Sequence, residues 1–199
     1  MPDLVTPPLL LLLTAALAYL LGSVPFGIVM ARLFGLGDLR KIGSGNIGAT
    51  NVLRTGNKVA AFLTLVLDAG KGAIAVLIAR ALMAEDAAQV AALFSFLGHC
   101  YPVFLSFRGG KGVATFIGTA LALAPLVGAA ACLLWLGTAA ATRISSLSAL
   151  VGAGGTVIVA ALIRPDATLL FALLAAVILW RHKENIARIM SGTEPRIGR

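Results

Sequence analysis

The charged residues of this chain are confined to short stretches between long runs that hold none, and that spacing limits its architecture more than any other feature. Residues 9–29, 144–163 and 167–180 contain no Asp, Glu, Lys or Arg. A hydrocarbon core about 30 Å thick is crossed by about 20 such residues as helix. In lipid, backbone N–H and C=O groups must find partners within the protein, so only helices and closed barrels span it. No strand-like alternation of polar and apolar residues competes with the helical reading. The chain is 12% charged and 59% hydrophobic, whereas a soluble domain is about a quarter charged. The expectation is an all-α, polytopic membrane protein forming a single domain over residues 1–199.

Seven segments read as spans: residues 7–33, 58–82, 87–106, 111–124, 126–142, 146–163 and 166–182. Only Pro125 separates the fourth from the fifth; read as one helix they would be too long for the bilayer. Alternating the connections sorts the cations into two sets. One holds Arg32, Arg40, Lys41, Arg54, Lys58, Arg108, Lys111, Arg143, Arg181, Lys183, Arg188, Arg196 and Arg199; the other holds Arg80 and Arg164, beside Asp3, Glu85, Asp86 and Asp166. The positive-inside rule puts the first set in the cytoplasm, hence the N-terminus outside and the C-terminus inside.

The net charge of +8 does not imply nucleic acid, because a chain this apolar presents no solvated basic face to a duplex. Membrane lipid headgroups or a phosphorylated substrate are the fitting partners. Cys100 and Cys132 lie in apolar runs without ligand spacing, which argues against disulfides and structural zinc. Met1-Pro2-Asp3 lacks the basic start of a cleavable leader. Asp38, Glu184 and Glu194, the acids assigned to the cytoplasmic side, are far apart in sequence, so neither a metal nor another cofactor is expected.

Three cytoplasmic stretches carry chemistry. The first runs Gly43-Ser44-Gly45-Asn46-Ile47-Gly48-Ala49-Thr50-Asn51-Val52-Leu53-Arg54. Its G-x-G-x-x-G has no preceding strand, which rules out dinucleotide binding. Its glycines instead let N–H groups converge on an anion. Ser44, Asn46, Thr50 and Asn51 add neutral donors, and Arg54 can fork onto a phosphate. A flexible linker is the plain alternative. In the second, Gly109-Gly110-Lys111-Gly112 opens an apolar helix and joins free N–H groups to an ammonium. It is not a Walker A loop, because Leu105 stands where the first glycine belongs and Gly112 where the magnesium-binding hydroxyl belongs. The third is the tail, where i, i+3 spacing puts His182, Asn185 and Arg188 near one face; an interfacial anchor is the plain alternative. Within the second span, Asp68 and Lys71 at i, i+3 read as an ion pair that orients one wall of a site, and His99 reads as a buried structural histidine.

Gly22-Ser23-Val24-Pro25-Phe26-Gly27, S-G-N-I-G-A-T-N-V-L-R from Ser44, D-A-G-K-G from Asp68, G-H-x-x-P-x-F-L-x-F-x-G-G-K-G-V-A-T from Gly98, and the tail from Arg181 to Arg188 together resemble the bacterial acyl-phosphate:glycerol-3-phosphate acyltransferase family. The resemblance implies a seven-span inner-membrane enzyme. It would transfer a fatty acyl group from acyl phosphate to the sn-1 hydroxyl of glycerol 3-phosphate, giving lysophosphatidate and phosphate at the cytoplasmic face, the first step of phospholipid synthesis. By motif, Ser44, Arg54 and Lys111 would act on the phosphates. Gly45, Asn46, Thr50, Asn51, Gly109, Gly110 and Gly112 would line the site, with His182 and Asn185 closing it. Ser145, Ser146 and Ser148 all compete for the family's serine after the fifth span; Ser146 is the working choice. No H-x₄-D dyad is present, since Phe104 and Ala187 stand five positions after the two histidines; either His182 works without a sequence-adjacent carboxylate or the substrate's own phosphate accepts the proton, and the second is the expectation that the resemblance also implies. A monomer is expected. A transporter of a phosphorylated solute is the rival reading, but these motifs gather at one membrane face rather than at the midplane between repeats.

Overall fold

The computed structural model describes residues 2–198; Met1, which opens the stretch read as lacking a basic leader, and Arg199, one of the cations assigned to the cytoplasm, lie outside them. Among the described residues the regular structure is helical, with no strand. Five helical stretches are long and apolar enough to cross a membrane: Pro8–Leu33, Lys58–Leu82, Glu85–Leu105, Pro125–Thr142 and Ser145–Ile163. A sixth arises if Pro165–Arg181 and Lys183–Met190, bent by 63°, are counted as one. The chain is a multi-pass membrane protein.

The described residues divide into two compact units, residues 4–123 and residues 124–198 with residues 2 and 3. The first unit contains α1 (Pro8–Gly22), α2 (Phe26–Leu33), the short α3 (Ala49–Leu53), α4 (Lys58–Leu82), α5 (Glu85–Cys100) and α6 (Val113–Leu123). The stretch expected as one helix over 7–33 breaks at Ser23-Val24-Pro25. Proline has no N–H to give, and it disfavours the helical conformation in the residue before it. Helices α1 and α5 approach closely because both carry glycine where they meet. A Cβ on Gly22 would lie 2.0 Å from the Ser95 carbonyl oxygen, and one on Gly98 would lie 2.2 Å from that of Tyr19. Small residues at helix crossings are the usual device where lipid offers no hydrophobic drive to associate. Helix α6 has 11 residues, about 16 Å at 1.5 Å per residue, which is shorter than the expected segment 111–124. Residues 106–112 approach it as irregular backbone.

At the other end of this unit, Arg80, Glu85 and Asp86 are engaged. Arg80 pairs with Glu85 at 2.9 Å and donates to the carbonyls of Ala122 and Leu123, both at 2.7 Å, covering the C-terminus of α6. Asp86 accepts from the N–H groups of Val5 and Thr6 and from the Thr6 hydroxyl, pinning the segment before α1.

The second unit contains α7 (Pro125–Thr142), α8 (Ser145–Ile163), α9 (Thr168–Arg181) and α10 (Lys183–Met190). Pro125 is the first residue of α7, where its missing N–H costs nothing. Arg143, in the left-handed conformation at φ 60°, turns the chain from α7 towards α8. Arg164 pairs with Asp166 at 2.8 Å ahead of α9.

Candidate functional site

In the first unit, the Ser44–Arg54 loop is organised around one amide. Asn51 is 1% exposed. Its Nδ2 donates to the Leu39 carbonyl at 2.9 Å. Its Oδ1 accepts from the Ser44 N–H at 3.0 Å, from the Ser44 hydroxyl at 3.3 Å and from Arg54 Nη1 at 3.5 Å. Asn51 therefore differs from expectation: its amide faces inward and shapes the loop instead of donating outward. Ser44 and Thr50 are exposed, and Asn46, Gly45 and Arg54 are half-buried. Asn46 Oδ1 accepts the Ile47 N–H at 3.0 Å. The loop thus brings an exposed hydroxyl and a guanidinium to one polar point.

The Gly109–Gly112 loop also departs from expectation. The N–H of Gly109 donates to the Cys100 carbonyl at 3.2 Å, and that of Gly110 to the His99 carbonyl at 3.0 Å. These two groups hold the loop to the end of α5 and are not the phosphate donors that the sequence suggested. The second glycine is needed for space, since a Cβ on Gly110 would lie 2.1 Å from His99 Nε2. Gly112, at φ +87°, turns the chain into α6, and a Cβ there would strike the Phe96 ring. Half-buried Lys111 sits between them. Arg40 Nη2 reaches the Arg108 carbonyl at 3.5 Å, joining the segments that precede the two loops.

Behind the second loop runs a buried chain of polar groups. Lys71 Nζ lies 2.7 Å from Asp68 Oδ1, and His99 Nδ1 lies 3.4 Å from the same oxygen. The ammonium also donates to the Val24 carbonyl at 2.8 Å and stands 5.6 Å from the centre of the Phe26 ring. The break at Pro25 therefore has a use: it exposes a carbonyl that an unbroken helix would have occupied. Thr115 Oγ1 donates to the Asp68 carbonyl at 2.8 Å, tying α6 to α4. A buried pair is favoured in so apolar a setting only when further polar partners surround it, and here these are the Val24 carbonyl and His99.

In the second unit, His182 sits at the bend between α9 and α10. It is 3% exposed, and its Nδ1 lies 2.8 Å from the Ile178 carbonyl. A carbonyl only accepts, so Nδ1 carries the proton and, in the neutral ring, Nε2 carries the lone pair. One turn on, Asn185 Nδ2 donates to Glu194 Oε1 at 2.5 Å. Ser146 donates to the same oxygen at 2.6 Å, and Arg188 Nε donates to Oε2 at 2.7 Å. Burial pushes the Glu194 carboxyl up, but the hydrogen bonds from Ser146, Asn185 and Arg188 outweigh it and hold the group below its ordinary range. Of the three candidate serines, Ser146 joins this cluster, whereas the Ser148 hydroxyl bonds back to the Ile144 carbonyl.

A family profile described as glycerol-3-phosphate acyltransferase matches residues 12–192. A glycerol-3-phosphate acyltransferase from Jannaschia sp. (strain CCS1) is 67% identical over 100% of this chain and 98% of its own. Another, from Cereibacter sphaeroides (strain ATCC 17025 / ATH 2.4.3), is 64% identical over 100% of this chain and 95% of its own. The crystal structure of PlsY (YgiH), an integral membrane glycerol 3-phosphate acyltransferase in its glycerol 3-phosphate form, is 40% identical with a TM-score of 0.90, covering 94% of this chain and 96% of that one.

The chain belongs to the glycerol-3-phosphate acyltransferase family.

It is accordingly an integral-membrane acyltransferase, and its family's place is in phospholipid synthesis. Several motif residues of this family member support the loops from behind. Asn51, Asp68, Lys71 and His99 are buried and bond to other parts of the first unit, whereas Ser44, Thr50, Arg54 and Lys111 keep some exposure. Sequence reasoning missed Glu194 as the shared partner of Ser146, Asn185 and Arg188. It lies two residues beyond the matched profile, and an acid after a basic helix reads as a solvated end. The flanking Gly192 and Pro195 were the available signal, since glycine and proline mark a turn of the tail.

Proposed function

We propose that this acyltransferase moves a fatty acyl group from acyl phosphate to the sn-1 hydroxyl of glycerol 3-phosphate. The observation that carries the acceptor is a relative 40% identical over nearly all of both chains, solved in a glycerol 3-phosphate form and again, at 39%, in a lysophosphatidic acid form; the acyl-phosphate donor and the sn-1 position rest on the motif resemblance. In the reaction the sn-1 oxygen attacks the acyl carbonyl carbon. The bond from that carbon to the phosphate oxygen breaks, inorganic phosphate leaves, and the hydroxyl proton passes to the substrate's own phosphate. The donor is a mixed anhydride with a good leaving group, so positioning and charge neutralisation are the protein's main tasks.

Arg54 and Lys111 supply the positive charge for the phosphates, and Ser44 supplies a hydroxyl donor beside Arg54. Gly45, Asn46, Thr50 and Gly112 shape the space around them, while Asn51, Gly109 and Gly110 hold the loops in place. His182, Asn185 and Ser146 are assigned to glycerol 3-phosphate by the motif resemblance. The His182 tautomer fits that role, since Nε2 accepts a hydrogen bond from a hydroxyl. The reading includes one seven-span domain in the bacterial inner membrane, with its N-terminus outside, its C-terminus and site cytoplasmic, acting as a monomer.

Purified protein in detergent, given acyl phosphate and glycerol 3-phosphate, should release phosphate only when both are present. Absence of release, or release that ignores glycerol 3-phosphate, would refute the reading.

A further inference from the structure

The tail beyond α10 is built in. Gly192, at φ +72°, turns the chain, and the Thr193 N–H donates to the Arg188 carbonyl at 2.8 Å. Further along, the Ile197 N–H donates to the Arg143 carbonyl at 2.7 Å, and Arg143 Nη2 donates to the Ile197 carbonyl at 3.1 Å. Glu194 lies between these two fastenings with its side chain 6% exposed. Its two oxygens together accept from Ser146, Asn185 and Arg188, which belong to α8 and α10. The two fastenings themselves need no carboxylate between them.

We propose that Glu194 is a positioning residue that fixes the side chains of Asn185 and Ser146 for binding glycerol 3-phosphate. The carboxylate accepts a hydrogen bond from the Asn185 amide N–H, which sets the orientation of that amide and so the direction in which Asn185 Oδ1 points. It also accepts a hydrogen bond from the Ser146 hydroxyl, so the serine oxygen presents its lone pairs elsewhere. Arg188 balances the charge, which lets the carboxylate stay ionised while largely buried. Charge-assisted bonds of this kind are the ones strong enough to hold an amide in one of its two orientations. This inference rests on the assignment of Asn185 and Ser146 to substrate made above.

The test is a cycle of Glu194→Gln, Asn185→Ala and the double variant, with KM and kcat measured for each substrate and Tm measured in detergent. Glutamine keeps the shape but has a single acceptor, and its NH₂ must face one of three donors. We expect KM for glycerol 3-phosphate to rise about 10- to 100-fold, as for loss of a hydrogen bond to a charged group. KM for acyl phosphate should stay within about twofold, and the Glu194→Gln effect should shrink in the Asn185→Ala background to the part that runs through Ser146. If Glu194→Gln does not purify, Glu194→Asp takes its place in the cycle, with the same expectation. An effect equally large in both backgrounds, one on both substrates alike, or none at all would overturn the proposal. So would a fall in KM, which would mean that the carboxylate competes with substrate. Wild-type protein inactive on the two substrates would instead refute the functional reading, and this inference with it.

Discussion

His99 and Gly110 meet so closely that the ring leaves no room for any side chain: a Cβ on Gly110 would lie 2.1 Å from His99 Nε2. The other ring nitrogen faces Asp68 at 3.4 Å, so the imidazole is held from both sides and the Lys111 loop rests on it. Gly110→Ala must displace either the ring or the loop. We expect activity to fall at least about 100-fold, in line with misplacement of a charge-stabilising group. Removing the ring as well, in His99→Ala/Gly110→Ala, should recover part of that loss. A double variant no better than Gly110→Ala alone would show that the contact is not the cause.

Lys111→Ala should abolish turnover, by about 100- to 1,000-fold or more, while insertion and Tm stay near wild type. Removal of one group that stabilises developing negative charge has that scale of effect. Activity within about tenfold of wild type would exclude Lys111 from the chemistry.

Arg54→Lys should lose most activity although the charge is kept. A guanidinium can reach Asn51 Oδ1 with one nitrogen, as it does at 3.5 Å, and still offer its other donors to a phosphate. An ammonium is a single point charge. Kinetics nearly those of wild type would reduce Arg54 to a general electrostatic role.

His182→Gln should retain much of kcat and chiefly raise KM for glycerol 3-phosphate, because we assign the proton to the substrate's own phosphate. Removing a true general base costs about 10² to 10⁴ in rate. The decisive measurement is the acid limb of the kcat profile in both proteins. If wild type has such a limb and His182→Gln lacks it, the histidine is the base.

The Glu194 carboxyl is held below its ordinary range by Ser146, Asn185 and Arg188, against the opposing effect of burial. Between its folded value and the usual glutamate value of about 4.3, the unfolded chain binds more protons. The stability this group contributes is therefore fully present above that usual value and is lost as pH falls through the folded one. The Tm difference between wild type and Glu194→Gln should be constant from neutral pH down to about 5 and shrink below about 4. A difference that grows on acidification would reverse the sign and contradict the bonding described.

By itself, the sequence determined that this is a multi-pass helical membrane protein, because a run of some 20 uncharged residues has no other stable state in lipid. It also determined the family, because the family's motifs recur in order along the chain, from the first helix to the tail. Tertiary structure decided which motif residues face outward. Asn51 and Ser44 are both polar members of one loop, and only the fold turns the first onto Leu39 and leaves the second exposed. Likewise Gly109 and Gly110 read as an anion nest, yet their N–H groups meet the carbonyls of Cys100 and His99. Spacing along a chain reports periodicity, whereas the partner of a hydrogen bond depends on which distant backbone comes near. Glu194 is the clearest instance: 48 residues separate it from Ser146, and no local pattern could join them. Their contact exists because the tail turns back at Gly192 and is fastened at Arg143.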